Sequence, residues 1–218
     1  MTEDTQTTLP AAGDRSPVAY DRTPTFEHII DERDVAVSMR DGVNLSVDIY
    51  RPDSTEKFPA LLAFSIYNKD LQGPEVAASL PPQPAWSSLW AGLLEAGDTK
   101  FFVSRGYVHV IGSPRGIFKS DGGGSRQWDS YDLIEWIAQQ PWCDGNVGMV
   151  GISGFGAEQF HAAKQNPPHL KAIFPFDPRG ALGLQAEFAE GDEVASQGFA
   201  GAPAAMLLAV LYASRLEH

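Results

Sequence analysis

NVGMVGISGFGAEQ, residues 146–159, reads as a short apolar strand, a glycine-flanked serine and the opening of a helix. Its centre is Gly151-Ile152-Ser153-Gly154-Phe155-Gly156, a candidate nucleophile elbow. A serine carried on a strained strand-to-helix turn needs small neighbours, so that the chain can reverse and present Oγ to a substrate. Gly151 and Gly154 supply that room. The same turn aims backbone N–H groups at the point where charge would develop on an attacked carbonyl, which makes the Gly154 N–H the first candidate oxyanion donor. The strict G-x-S-x-G spacing is not met, because Phe155 takes the last place and the glycine follows at 156. Taken alone, the motif is equally a tight connection without chemistry. Its surroundings decide the matter.

Downstream, Ala157 to Gln165 continues as a helix stopped by Asn166-Pro167-Pro168, and LKAIFPF (170–176) reads as a buried strand with Asp177 at its C-terminal end. Upstream, Trp142 to Asn146 reads as a turn. Before it, Asp129 to Gln139 carries Tyr131, Leu133, Ile134, Trp136 and Ile137 at helical spacing, closed by Pro141. Tyr107 to Ile111 is a strand, and Trp86 to Ser104 shows a helical pattern broken near Gly97-Asp98. PALLAFSIY (59–67) is nearly continuous in apolar residues, as a strand buried on both faces should be. Val35 to Met39 and Leu45 to Ile49 alternate around Asp41-Gly42, a hairpin signal. The loop from Asn68 to Pro84 is too long for a simple connection, and such loops often carry function.

A hairpin followed by alternating strands and helices predicts an α/β fold with a mostly parallel sheet. Ligands bind such sheets beyond the carboxyl ends of the strands, where Tyr67, Ser113, Ser153 and Asp177 all fall. That convergence favours the elbow. The expected organisation is a flexible arm over residues 1–25, a core over 26–180, the start of a helical cap over 181–215, and a tag remnant at 216–218.

The net charge of −12 argues against nucleic acid or an anionic membrane as partner, since both call for a basic face. No apolar run is long enough to span a bilayer and the first residues lack a signal-peptide pattern, so the expected location is cytoplasmic. One cysteine, Cys143, and five scattered histidines give no ligand spacing, so no metal and no cofactor is expected. The glycine-rich stretch at 112–124 lacks both the P-loop ending and the dinucleotide-binding spacing. His109 lies inside a strand and reads first as a structural histidine. His161, about two turns beyond Ser153, reads first as a surface or packing residue.

From Val35 to Gly180 the chain resembles the N-terminal part of the catalytic domain of cocaine esterase-like hydrolases, the CocE/NonD group related to X-prolyl dipeptidyl-peptidases. The resemblance rests on MRDGVNLSVDIYRP (39–52), Tyr67-Asn68-Lys69, RGIFKSDGG (115–123) and above all WCDGNVGMVGISGFG (142–156). It implies an α/β-hydrolase fold, present in part. The family's elbow is G-x-S-Y-x-G, which accounts for the glycine at 156. By the same resemblance Ser153 matches the nucleophile, Gly154 the position whose N–H serves the oxyanion hole, and Tyr67 the tyrosine whose hydroxyl supplies the second donor.

Two departures stand out: Gly154 replaces the family's tyrosine, and Ser113-Pro114-Arg115 replaces its aspartate-x-arginine. The family's later triad members would follow the point where this chain stops. Asp177 stands where some hydrolases keep their acid, although a loop or N-cap role is the stronger reading, and the histidine after it is His218, in the tag remnant. The expected activity is hydrolysis of a small-molecule ester, or less readily an amide, through an acyl-enzyme on Ser153. The alternative is a truncated, non-catalytic homologue that binds a ligand or a partner chain. That alternative predicts a homo-oligomer or a second polypeptide completing the sheet, because the strand 170–176 would be left as an open edge.

Overall fold

The computed structural model describes residues 23–79, 94–176 and 178. The chain enters the fold as β1 (Ile29–Ser38), turns at Asp41-Gly42, and returns antiparallel as β2 (Asn44–Pro52). Gly42 takes φ +84° there, and its N–H donates to Met39 O at 2.9 Å. A bulge between Glu32 and Val35 interrupts the ladder, with Asp34 at φ +56°. The next elements are β3 (Phe58–Phe64), a short helix α1 (Pro74–Ala78), α2 (Thr99–Ser104), β4 (Val108–Gly112), α3 (Asp129–Ala138), β5 (Cys143–Ile152), α4 (Gly154–Lys164) and β6 (Leu170–Phe176).

These strands form one sheet in the order β1-β2-β4-β3-β5-β6, antiparallel through β2 and β4 and parallel from β4 to β6. The alternation of side chains along each strand sorts them onto two faces. Val47, Ile49, Ala60, Leu62, Val108, Val110, Val147 and Met149 join Leu133, Ile134, Ile137 and Ala162 of α3 and α4 in the larger core. On the other face Ala63 and Ile111 pack with Tyr67, Ala96, Val103 of α2 and Phe155. β3 is therefore covered on both faces, as its continuous apolar run requires.

Three local expectations are corrected. Cys143 to Asn146, read as a turn, is the first part of β5, recruited by the pairing of Cys143 with Phe58. Within the pattern from Trp86 to Ser104, the described residues become helical at Thr99. Asp98 caps that helix by accepting from Phe101 N, whereas 94–98 is irregular and 86–93 lie outside the described residues. β6, expected to be buried, is an edge strand among the described residues, with Phe174 55% and Phe176 50% exposed. The expected cap, the tag remnant and most of the arm also lie outside the described residues. At the arm's inner end, Thr25 N donates to Ser104 O and Phe26 packs edge-on against Phe58.

Candidate active site

The sheet order has a consequence for chemistry. From β3 the chain crosses to β4 on one side, then returns to β5 on the other, so the carboxyl ends of β3 and β5 flank a topological switch point. Ser153 follows β5 and Tyr67 follows β3.

Ser153 sits at φ +55°, ψ −114°, a conformation that L residues rarely adopt and that costs about 1–3 kcal/mol. The surrounding structure holds it there. Its N–H donates to Phe176 O at 3.0 Å, and its carbonyl accepts from Ala157 N at 2.9 Å to start α4. Gly151 is at φ +142°, and a Cβ placed on it would lie 2.3 Å from Phe155 Cβ and 3.0 Å from Glu95 O. Only glycine fits that approach. Gln159, buried on α4, donates to Phe174 O at 3.2 Å and ties the helix to β6 beside the turn.

Tyr67 is buried beside the elbow, its ring 5.6 Å from that of Phe155. Gly154 lies against the same ring: a Cβ there would be 2.8 Å from Ser65 Oγ and 3.2 Å from Tyr67 Cε2. The absence of a side chain at 154 thus lets Tyr67 and Ser65 close on the backbone. The structure brings together Ser153, Gly154 and Tyr67, three of the candidates singled out from sequence. Asp177 falls outside the described residues.

Tyr67 is aimed by a buried ionic anchor two residues later. Lys69 Nζ, with no exposed side-chain surface, lies 2.7 Å from a carboxylate oxygen of each of Asp34, Asp48 and Asp70. Asp48 is also fully buried and pairs with Arg33 Nε at 2.9 Å. Three carboxylates so close together could hold a metal ion, and here the Lys69 ammonium is their common cation. Ammonium hydrogen bonds hold the Asp34 carboxyl down at about 2 against the opposing effect of burial. The β1 bulge is what turns Asp34 inward to this lysine. Ser113, at the end of β4, accepts from Lys69 N at 3.0 Å through Oγ and so supports the loop that follows β3. Arg115 spans Asp129 on α3 and Asp41 in the hairpin turn, with bonds of 2.7–2.9 Å.

Glu95 belongs to the site and was not found from sequence. The irregular segment carrying it is held by Gln72 Oε1, which accepts from Glu95 N at 2.8 Å and Ala96 N at 3.1 Å, and by Ile152 N, which donates to Glu95 O at 2.8 Å. The Tyr67 hydroxyl and the Gly154 N–H near its carboxyl favour the charged form. Burial outweighs those two donors and pushes it up to about 7. In the sequence it falls in an apolar helical pattern, where a lone glutamate reads as a solvent face. The break at Gly97-Asp98 was the one local sign that the segment is not helical.

The histidines of the described residues are engaged elsewhere. His109 is buried in β4, with Nδ1 2.9 Å from Thr99 Oγ1, and burial lowers it to about 4, as suits a neutral structural residue. His161 Nε2 is 3.3 Å from Gln127 O, and His169 pairs with Glu135 at 2.7 Å. His28 is exposed near the start of β1. No helix among the described residues is long and apolar enough to cross a membrane.

The chain is 38% identical over 169 residues to cocaine esterase from Rhodococcus sp., a match covering 70% of this chain and 26% of that protein. A CocE/NonD family hydrolase from Staphylococcus aureus superposes with a TM-score of 0.55 at 36% identity, covering 67% of this chain and 27% of the other. An alpha-amino acid ester hydrolase does so at 0.51 and 26% identity, covering 77% and 28%. The chain therefore spans about a quarter of the length of these relatives. The profile of the X-Pro dipeptidyl-peptidase (S15) family matches residues 41–217. With that match, its α/β-hydrolase sheet and its CocE/NonD relatives, the chain belongs to the X-Pro dipeptidyl-peptidase (S15) family.

Proposed function

We propose that Ser153 is the nucleophile of a serine hydrolase that cleaves small-molecule carboxylic esters, and amides less readily. The observation that carries this is the strained Ser153 backbone at the end of β5, with buried Tyr67 packed closely against Gly154 beside it. Ser153 Oγ bonds to the acyl carbon while its proton passes to a histidine base outside the described residues. The carbonyl π pair moves onto oxygen, where Gly154 N–H and Tyr67 OH receive it. Collapse expels the alcohol, which takes the proton from the base, and water then releases the acid from the acyl-enzyme by the same route.

The test is the intact mass of the purified chain after exposure to a fluorophosphonate, with and without added imidazole as a diffusible base, beside Ser153→Ala. One adduct per chain, accelerated by imidazole and absent in Ser153→Ala, is expected. An adduct that survives in Ser153→Ala, or none at any imidazole concentration, overturns the assignment.

The exposed edge of β6, with Phe174 and Phe176, favours a second reading in which a further strand or a partner chain covers this side of the sheet. Light scattering across a dilution series, on the wild type and on Phe174→Lys, would detect such an association.

A further inference from the structure

β3 pairs with β5 only as far as Leu62 and Met149, so further along β5 the Ile152 N–H finds no strand partner on that side of the ladder. Its acceptor is Glu95 O at 2.8 Å, supplied by a segment that belongs to no strand or helix. The next residue is Ser153. A backbone donor shielded from water needs its acceptor, so the end of β5 must follow wherever Glu95 O is placed.

One side chain places it. Gln72, 3% exposed, accepts through Oε1 from Glu95 N at 2.8 Å and from Ala96 N at 3.1 Å. A single oxygen thus satisfies two adjacent donors, and fully buried Ala96 packs in the same cluster as Tyr67 and Phe155. Gln72 also closes the turn that begins at Tyr67. Its own N–H donates to Lys69 O at 2.9 Å, Leu71 N donates to Asn68 O at 3.2 Å, and Asn68 Oδ1 accepts from Asp70 N at 3.0 Å. Lys69 N rests on Ser113 Oγ at 3.0 Å, and the Lys69 ammonium between its three carboxylates keeps the turn from rotating.

Resting on the hydrolase reading above, we propose that Gln72 is a positioning residue whose amide oxygen holds the Ser153 elbow in register with Tyr67. Tyr67 and Gln72 stand at the two ends of one short turn, and Gln72, Glu95 and Ile152 form the path from that turn to the serine. The register matters because the two walls are close. A Cβ on Gly154 would lie 3.2 Å from Tyr67 Cε2 and 3.6 Å from its hydroxyl oxygen, so a small displacement of either wall changes what the tyrosine reaches. In this role Gln72 acts through the distance between tyrosine and serine, not on the acyl group itself.

The experiment times Ser153 phosphonylation, with imidazole as the base, in the wild type, Gln72→Met, Tyr67→Phe and the double variant. Methionine is close to glutamine in length and lacks the amide oxygen. Alone, Gln72→Met is expected to slow the reaction by roughly tenfold or more, since a misplacement of about 1 Å can cost about 10²-fold. In the Tyr67→Phe background the same substitution is expected to cost less than about threefold, because the group held in register is already gone. Equal slowing in both backgrounds marks a general loss of structure and overturns the proposal, as does a Gln72→Met rate equal to that of the wild type. Amide hydrogen exchange on the wild-type chain is the second arm, and it depends on no variant folding. The Glu95, Ala96 and Ile152 amides are expected to open together, with protection within about threefold of one another. An Ile152 amide protected independently of the other two breaks the path and overturns the proposal. No phosphonylation in any of the four proteins refutes the hydrolase reading, and the exchange arm still decides whether the Gln72-held segment and the elbow move as one unit.

Discussion

Replacing Gly151 by alanine tests the elbow without touching any group assigned to chemistry. Two effects combine. At φ +142° an L side chain is strained by about 1–2 kcal/mol. The new Cβ would also stand 2.3 Å from Phe155 Cβ and 3.0 Å from Glu95 O, where neither a β-carbon nor a backbone oxygen can swing aside. Overpacking of this kind adds about 1–3 kcal/mol, so the expected loss is about 2–5 kcal/mol. That is a large share of the roughly 5–15 kcal/mol that holds a domain folded, and it corresponds to a fall in Tm of roughly 5–20 °C. Gly145→Ala is the control: its φ is +88°, but nothing lies within 4 Å of the added carbon, so only the strain of about 1–2 kcal/mol applies. Urea unfolding followed by tryptophan fluorescence measures both variants. If Gly151→Ala loses no more than Gly145→Ala, the close approach of Gly151, Phe155 and Glu95 does not exist and the elbow geometry is refuted.

Three further outcomes follow from the same structure. Tyr67→Phe should slow Ser153 phosphonylation by roughly 10²–10³-fold, the usual loss for one oxyanion donor, while urea stability changes little. Equal rates would remove Tyr67 from the site. Lys69→Met should cost about 3–5 kcal/mol in chemical denaturation, because it strips the cation from fully buried Asp48; a loss below about 1 kcal/mol would mean that Arg33 alone satisfies that carboxylate. The folded chain binds the Glu95 proton more tightly than the unfolded chain does. The Glu95 contribution to stability is therefore present below the unfolded value of about 4.3 and is lost as pH rises to about 7. Stability measured across that window should decline more gently in Glu95→Gln than in the wild type, and identical slopes would contradict the burial of this carboxyl.

Most of the fold was legible because its signals are local. Asp41-Gly42 closes the hairpin, the unbroken apolar run of β3 declares burial on both faces, and Leu133, Ile134 and Ile137 repeat at helical spacing and do pack into the core. The misreadings all involve distant partners. Cys143 joins β5 because Phe58 pairs with it. The segment at 94–98 leaves the helical pattern because Gln72 and Ile152 take its backbone hydrogen bonds. β6 has an apolar sequence but an exposed face, since burial depends on what lies alongside and not on the strand's own residues. Lys69 and Glu95 were invisible as buried charges for the same reason: a charged residue reads as solvated until its partners are placed around it.

By itself the sequence determined the elements and the elbow, because alternation, glycine placement and capping act over a few residues. It also proposed Ser153, Gly154 and Tyr67, through the match of short motifs to a family. Only the tertiary structure decided that β3 lies between β4 and β5, which brings Tyr67 to Ser153 across the switch point. It alone placed the Glu95 backbone against the elbow, where Glu95 O accepts from Ile152 N. Strand order and the burial of a charge are set by packing free energy summed over the whole sheet, and no local stretch of residues encodes that sum.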